Sequence, residues 1–145
     1  MGDPYAQKMT NRTFFAAKSD VKGRIVTVLR GTLESRGLHL ILPISRAYSG
    51  GTIVEFISTD EAGAAPGGTV DAIGYVAFVE LTTSGVLLVG DTIEIAGKPI
   101  GTIAGYDDTH MPNHQNIILK TQRRVTGEGL GFRSGDEVLI RGFQS

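Results

Sequence analysis

VGDTIEIAG at residues 89–97 recurs in similar form as SGDEVLIRG at residues 134–142. In both stretches a Gly-Asp pair precedes a short run with two β-branched residues spaced two apart, and a glycine follows. Glycine adopts the positive φ of tight turns, and aspartate hydrogen-bonds to nearby backbone. Each stretch therefore predicts a turn, a short strand and a second turn, which is the repeating unit of small all-β domains.

The same two-residue alternation extends over most of the chain, and no long stretch has the 3.6-residue period of a helix. Only residues 5–18 favour a short helix. The predicted strands are residues 24–33, 38–44, 52–58, 69–82, 91–96, 100–104, 116–121 and 137–141. Short strands at a spacing of roughly ten residues predict an all-β fold, a small β-barrel with a β-sandwich as the alternative.

Length and composition agree with one β-rich domain. The chain has 145 residues, 20 glycines and no cysteine, and glycine inside a helix costs about 1 kcal/mol relative to alanine. We expect a single domain over residues 1–145, with residues 1–20 as a loosely ordered N-terminal segment. The lack of cysteine excludes disulfides, a thiol nucleophile and thiolate metal ligands.

Neither a secretory leader nor an apolar stretch of membrane-spanning length is visible in the sequence. We therefore expect a cytoplasmic protein that does not bind membranes. A net charge of -1 and the lack of a basic patch with interleaved aromatic residues argue against nucleic acid as a partner.

Charge is unevenly distributed along the chain. The balance of basic over acidic residues is 8 - 3 = +5 in residues 1–46, 1 - 9 = -8 in residues 47–119 and 5 - 3 = +2 in residues 120–145. One interpretation is that basic strands pack beside acidic ones within the domain. The other is an acidic face that attracts cations or a basic partner.

The segment YDDTHMPNHQN, residues 106–116, concentrates the polar chemistry of the chain. Two histidines spaced four apart would share one face of a helix, but Pro112 between them argues for a loop. Imidazole with carboxylate suits zinc, iron, nickel or manganese. We predict that a divalent ion is held here by His110 and His114 with Asp107 or Asp108.

A small polar ligand is the other predicted occupant of this loop, in contact with Tyr106, Asn113 and Asn116. The alternative is structural: the aspartates cap turns while the histidines and amides bond to backbone. The glycine-rich residues 127–133 lack the following helix of a phosphate-binding loop. No nucleophile can be named, so the sequence leaves catalysis open.

The run VLLVGDTIEIAGKPIGTIAGYDD, then NIILKT, and the closing SGDEVLIRGF resemble the glucitol/sorbitol-specific IIA component family of the sugar phosphotransferase system. The resemblance covers about 60 residues and implies a small cytoplasmic β-barrel that acts in a phosphorelay. That family's phosphoacceptor histidine lies before the Gly-Asp strand, where residues 68–90 of this chain contain no histidine. No active-site residue is therefore carried over.

Three functions follow as hypotheses. The first is a β-barrel binding protein that holds a polar ligand or divalent ion at residues 107–116. The second is a phosphocarrier or regulatory relative of the IIA family, with His110 or His114 as acceptor. The third is a structural homo-oligomer without a ligand site, since an open sheet edge is often covered by a second copy.

Overall fold

A computed structural model describes residues 14–144 of the chain. Its regular structure is almost entirely β. The strands are β1 (Ala17–Lys18), β2 (Val21–Val28), β3 (Thr32–Leu33), β4 (Leu38–His39), β5 (Ser45–Tyr48), β6 (Ile53–Thr59), β7 (Thr69–Val70), β8 (Ile73–Leu81), β9 (Gly85–Leu88), β10 (Thr92–Ile95), β11 (Lys98–Asp107), β12 (Asn116–Lys120), β13 (Glu137–Ile140) and β14 (Phe143–Gln144).

Seven strands close into a ring in the order β2-β13-β10-β11-β12-β6-β8, with β8 pairing back onto β2. The pairing of β6 with β12 is parallel, and the other six pairings of the ring are antiparallel. Short pairs β1–β14, β4–β7 and β5–β9 flank the ring, and β3 adds to β8. The all-β prediction is confirmed, with the closed connectivity of a small barrel.

The two similar stretches of sequence become neighbouring strands of this ring. β10 and β13 pair antiparallel, with Ile93 opposite Ile140. Before β10, Asp91 Oδ2 accepts a hydrogen bond from the Leu88 amide at 2.9 Å, and before β13, Asp136 Oδ2 accepts one from the Arg133 amide at 2.8 Å. The preceding glycines have φ of 95° and 94°, so the predicted turn chemistry is confirmed in both copies.

Two apolar clusters fill the structure. The main core is enclosed by the ring and includes Phe56, Tyr106 and Ile117. A second cluster, with Leu38 and Ile118 among its members, packs on the other face of the sheet. Because alternate residues of a strand point to opposite faces, β6 and β12 supply side chains to both clusters.

Several sequence-based boundaries are wrong. At the described end of the predicted helix 5–18, residues 17–18 form a strand paired with β14; the rest of it, and most of the N-terminal segment 1–20, lies outside the described residues. The predicted strand 38–44 is regular only over Leu38–His39, because the chain then turns and leaves Leu42 61% exposed.

The predicted strand 69–82 is interrupted at residues 71–72, and Gly74 lies inside β8. The segment that contains Val125 packs against β8 here, and a Cβ at Gly74 would clash with the Val125 carbonyl oxygen. This glycine therefore serves close packing of two backbone segments and does not interrupt the strand.

The fold pairs several charges from the basic segments with acids of the acidic segment. Lys18 and Arg24 from the basic first segment pair with Asp91 at 3.1 Å and Glu80 at 2.9 Å. Arg141 from the last segment pairs with Glu94 at 2.6 Å. These pairs support the interpretation that basic and acidic strands pack beside each other.

Among residues 14–144, no helix has the length and apolar character needed to cross a lipid bilayer. The ring of seven strands closes between β2 and β8, and the homo-oligomer stays a prediction.

Candidate functional site

The residues between β11 and β12 form a compact turn at one end of the ring. Hydrogen bonds within residues 108–114 close it, including Met111 N to Asp108 O at 3.0 Å and Asn113 N to His110 O at 2.9 Å. The Met111–Pro112 peptide bond is cis. The prediction of a loop at this position is confirmed.

A row of polar side chains crosses the sheet beneath this turn. Asp107 of β11 is opposite Asn116 of β12, and Asn116 is opposite Glu55 of β6. Their neighbours in sequence, such as Phe56 and Ile117, point into the main core, so the row lies on the outer face. All three side chains are nonetheless buried, which requires that they find hydrogen-bond partners.

Glu55 finds its partner in the turn. The Glu55 Oε1 atom lies 2.9 Å from His114 Nε2, and the two side chains are only 7% and 10% exposed. The Asn113 amide group is 2.9 Å from His114 Nδ1. Because the amide donates to Nδ1, the Nε2 proton is directed to Glu55. The Phe78 ring meets His114 edge-on at 4.9 Å.

His110 is exposed and stacks on His114 with ring centroids 5.0 Å apart. Its Nε2 accepts from the Arg36 guanidinium at 3.4 Å. The two histidines predicted as metal ligands thus lie together with their rings stacked face to face. Nε2 of His110 is directed to Arg36, and Nε2 of His114 is directed to Glu55.

Gln115 is the centre of a second network. Its Oε1 accepts from Arg46 Nε at 3.2 Å and from the Tyr48 hydroxyl, and its Nε2 donates to Asp108 Oδ1. Gln115 itself is 2% exposed. Burial raises the pKa of the Tyr48 hydroxyl, and the nearby positive charge of Arg46 only partly opposes this.

A cavity of about 520 Å³ opens between β5, the start of β6 and the turn. We call it the Gln115 pocket; its lining residues are 46–48, 51–54 and 111–115. One wall is polar, with Arg46, Tyr48 and Gln115, and the other includes Ile53 and Met111. A concave site with an apolar wall and a few fixed polar groups is the usual form of a small-molecule site.

The predicted site residues separate into two groups. His114 and Asn113 line the Gln115 pocket. Tyr106 is fully buried in the main core, where its hydroxyl donates to the carbonyls of Ile44 and Leu87 at 3.2 and 3.0 Å. It is not among the residues that line the Gln115 pocket.

Asp107 and Asn116 are bonded to each other. The Asp107 Oδ1 atom accepts from the Thr109 amide at 3.0 Å and from Asn116 Nδ2 at 3.1 Å, which is the capping role of the structural alternative. The Asn116 Oδ1 atom is buried without a hydrogen-bond partner among the described residues. Within residues 14–144, no three histidine, aspartate or glutamate side chains are grouped so that they could hold a metal ion.

Sequence comparison adds one finding. Residues 15–141 match a family described as a family of unknown function, DUF6917. The chain belongs to this family. The DUF6917 match spans all seven strands of the ring and the turn between β11 and β12, so the site described above lies within the matched residues. No curated protein and no solved structure is significantly similar to the chain.

Four further residues of the site come from segments distant in sequence, which only the fold brings to the turn: Arg36, Arg46, Tyr48 and Glu55. Glu55 carries a recognisable signal: it is a single charge within the apolar run TIVEFIS of residues 52–58. Gln115 was part of the quoted segment, but nothing local distinguishes it from its neighbours.

Proposed function

We propose that this member of the DUF6917 family is a small-molecule-binding protein whose ligand, a small polar organic acid, occupies the Gln115 pocket. The observation that carries the proposal is that Arg46, a half-buried cation in the pocket wall, has no carboxylate partner among residues 14–144.

Arg46 is held in place without being neutralised. Its Nε donates to the neutral Gln115 amide at 3.2 Å, and the Tyr48 hydroxyl lies against it. Among residues 14–144 it forms no ion pair with a carboxylate, whereas Arg24, Arg124 and Arg141 each do. A guanidinium has five N–H donors and binds carboxylates through two of them, so Arg46 retains donors for an acidic ligand.

The remaining wall suits a small organic molecule. Asn113 lines the pocket, and its amide oxygen is an acceptor for a hydroxyl or amino group. Ile53 and Met111 are 46% and 44% exposed and provide apolar contact. A bound ligand would cover both side chains, which is favourable in proportion to the area removed from water.

The same geometry favours an organic ligand over the predicted divalent ion. His114 Nε2 is directed to Glu55, and Asp107 to Thr109 and Asn116. A metal would have to displace these hydrogen bonds before it gained its ligands, and each bond to a charged group contributes about 1.5–3 kcal/mol.

The test is a titration of ¹⁵N-labelled protein with succinate, with succinamide as the uncharged analogue. We expect amide shifts confined to residues 46–54 and 111–115, and no saturable shifts with succinamide. Arg46→Gln should weaken succinate binding by about tenfold or more, because one charge-assisted hydrogen-bonded pair is lost. Arg30→Gln removes an exposed arginine at the other end of the ring and serves as the matched control.

Saturable shifts at another surface, or equal affinity of the Arg46→Gln and Arg30→Gln variants, would exclude the proposal. A parallel titration with Mn²⁺ addresses the metal prediction directly. Selective broadening of residues 107–116 at micromolar Mn²⁺ would favour the divalent ion instead.

A phosphocarrier role is the second candidate, and one contact favours it. His110 is exposed, and the Arg36 guanidinium next to its Nε2 is suited to bind phosphoryl oxygens. Incubation with the phosphoenolpyruvate-dependent phosphorelay donors, followed by intact mass measurement, tests this role. One added phosphoryl group that is lost in His110→Ala supports it, and an unmodified protein excludes it.

The cytoplasmic location and the homo-oligomer belong to the proposal only as sequence-based predictions. A purely structural oligomer predicts that the double variant His110→Ala/His114→Ala, measured under conditions in which it is folded, assembles like the wild-type protein. Light scattering of the two proteins measures the assembly directly.

A further inference from the structure

A second cavity lies at the opposite end of the ring from the Gln115 pocket. β11 runs from Lys98 to Asp107 and β12 from Asn116 to Lys120, and the turn with the Gln115 pocket joins Asp107 to Asn116. The second cavity is lined instead by the start of β11, the end of β12 and residues that follow it. It has a volume of about 550 Å³, and we call it the Arg123 pocket.

The charged side chains that line this cavity are all basic. They are Lys98, Lys120 and Arg123, with no aspartate or glutamate in the lining. Lys98 is the single basic residue of residues 47–119, a segment that carries nine acids. Among residues 14–144 none of the three forms an ion pair; Lys120 Nζ donates to the Ala62 carbonyl at 2.6 Å. Lys98 and Arg123 therefore border the concavity without an acidic partner among the described residues, and their positive charge attracts an anion.

The neighbouring arginine is placed differently. Arg124 Nη1 lies 2.6 Å from Glu34 Oε1, and its Nε lies 3.8 Å from Asp60 Oδ1. Arg124 is thus paired with acids, whereas Arg123 borders the cavity.

The floor of the Arg123 pocket is apolar. Ile100, Val125 and Phe132 line it and belong to, or pack against, the main core. Leu130, 40% exposed, lies at its edge. A cavity with an apolar floor and a cationic border fits a molecule with an apolar body and a compact, multiply charged head.

We propose that the Arg123 pocket binds an organic phosphate monoester, with its phosphate at Lys98 and Arg123 and its apolar part on Phe132 and Leu130. A phosphate monoester carries close to two negative charges at neutral pH, which matches two cations better than a single carboxylate does. The planar guanidinium of Arg123 can donate two hydrogen bonds to phosphate oxygens.

The experiment uses 1-naphthyl phosphate as the probe, titrated into ¹⁵N-labelled full-length protein at constant ionic strength. Inorganic phosphate tests the head alone, and 1-naphthol tests the apolar part alone. We expect amide shifts at residues 98–102 and 120–132, with an affinity about tenfold higher than for either fragment.

The variants Arg123→Gln and Arg124→Gln are the matched pair, because they remove the same charge at adjacent positions. Arg123→Gln should weaken binding of 1-naphthyl phosphate by about fivefold or more, and Arg124→Gln by less than about twofold. Lys98→Gln, at the exposed start of β11, should behave like Arg123→Gln. Arg46→Gln should have no effect, which separates this site from the Gln115 pocket.

Three patterns of binding would overturn the proposal: equal weakening by Arg123→Gln and Arg124→Gln, equal affinity for inorganic phosphate and 1-naphthyl phosphate, or shifts centred on residues 110–115. The first means attraction by overall charge, the second means that the apolar floor has no part, and the third places the anion in the other pocket. Absence of saturable shifts at millimolar probe also excludes it.

Discussion

His114 of the turn is anchored to Glu55 of β6, with Nε2 and Oε1 2.9 Å apart and both side chains almost completely buried. The contact spans 59 positions of sequence and fastens the turn to the ring. Because Phe78 and the stacked His110 cover the same ring, water cannot easily replace either partner. The position of the Gln115 pocket therefore depends on this buried pair.

The first prediction concerns that pair. His114→Ala should lower the free energy of unfolding by about 2–4 kcal/mol, because it leaves the Glu55 carboxylate buried without its donor. Urea unfolding followed by circular dichroism measures the change. Glu55→Ala should also destabilise the fold, and the double variant should cost less than the sum of the two single variants.

The double-mutant cycle gives the coupling energy directly. We expect about 1–3 kcal/mol for residues in direct contact. His110→Ala, which removes an exposed ring from the same turn, is the control and should cost much less. Additivity of the His114 and Glu55 variants would show that the observed contact contributes nothing to stability.

The prediction of the fold from sequence succeeded where the structure is set by local chemistry. Gly90-Asp91 and Gly135-Asp136 each need only their own turn to form the bonds seen here, so their pattern is readable from the chain. The pairing of β10 with β13, and the closure of β8 onto β2, depend on packing between distant segments. No local pattern encodes them.

Only part of the candidate site can be predicted from sequence. The residues of the turn are recognisable because proline, histidine and aspartate are concentrated in one short segment. Arg46 and Tyr48 reach the turn only because β5 pairs with β9 beside the ring, and Arg123 borders a cavity that the start of β11 and the end of β12 form together. Such relations depend on tertiary structure, which single-sequence patterns do not contain.

A second prediction compares the two equivalent turn aspartates. Asp136→Ala removes one acceptor of a backbone amide and should cost about 1 kcal/mol. Asp91→Ala removes the same bond and also a buried ion pair with Lys18, whose side chain is 6% exposed, so it should cost about 3 kcal/mol or more. Thermal and urea unfolding of both variants measure the difference, and equal costs would contradict it.

A third prediction concerns Ala96, which has a φ of 52° in the two-residue turn between β10 and β11. Left-handed backbone costs an alanine about 1 kcal/mol, and asparagine tolerates it better. Ala96→Asn produces the Asn-Gly pair preferred in such hairpins and should stabilise the protein by about 0.5–1 kcal/mol.

The control for that change is Ala65→Asn, at an exposed alanine outside the left-handed region. It should leave the midpoint of urea unfolding nearly unchanged. A loss of stability in Ala96→Asn would mean that the turn is not strained by its alanine.

The last prediction uses alkaline pH to probe the Gln115 network. Burial holds the pKa of Tyr48 above its ordinary value of about 10, so the folded protein keeps the hydroxyl proton after the unfolded chain has released it. Since the folded state then binds more protons, its stability decreases as the pH rises above about 10.

Tyr48→Phe loses the hydroxyl bond to Gln115 but has no such titration. The wild-type advantage in unfolding free energy should therefore be constant below about pH 9 and shrink by up to about 1.4 kcal/mol per pH unit above pH 10. Urea unfolding of both proteins from neutral to alkaline pH measures this, and an advantage that stays constant throughout would show that Tyr48 is not buried in the network.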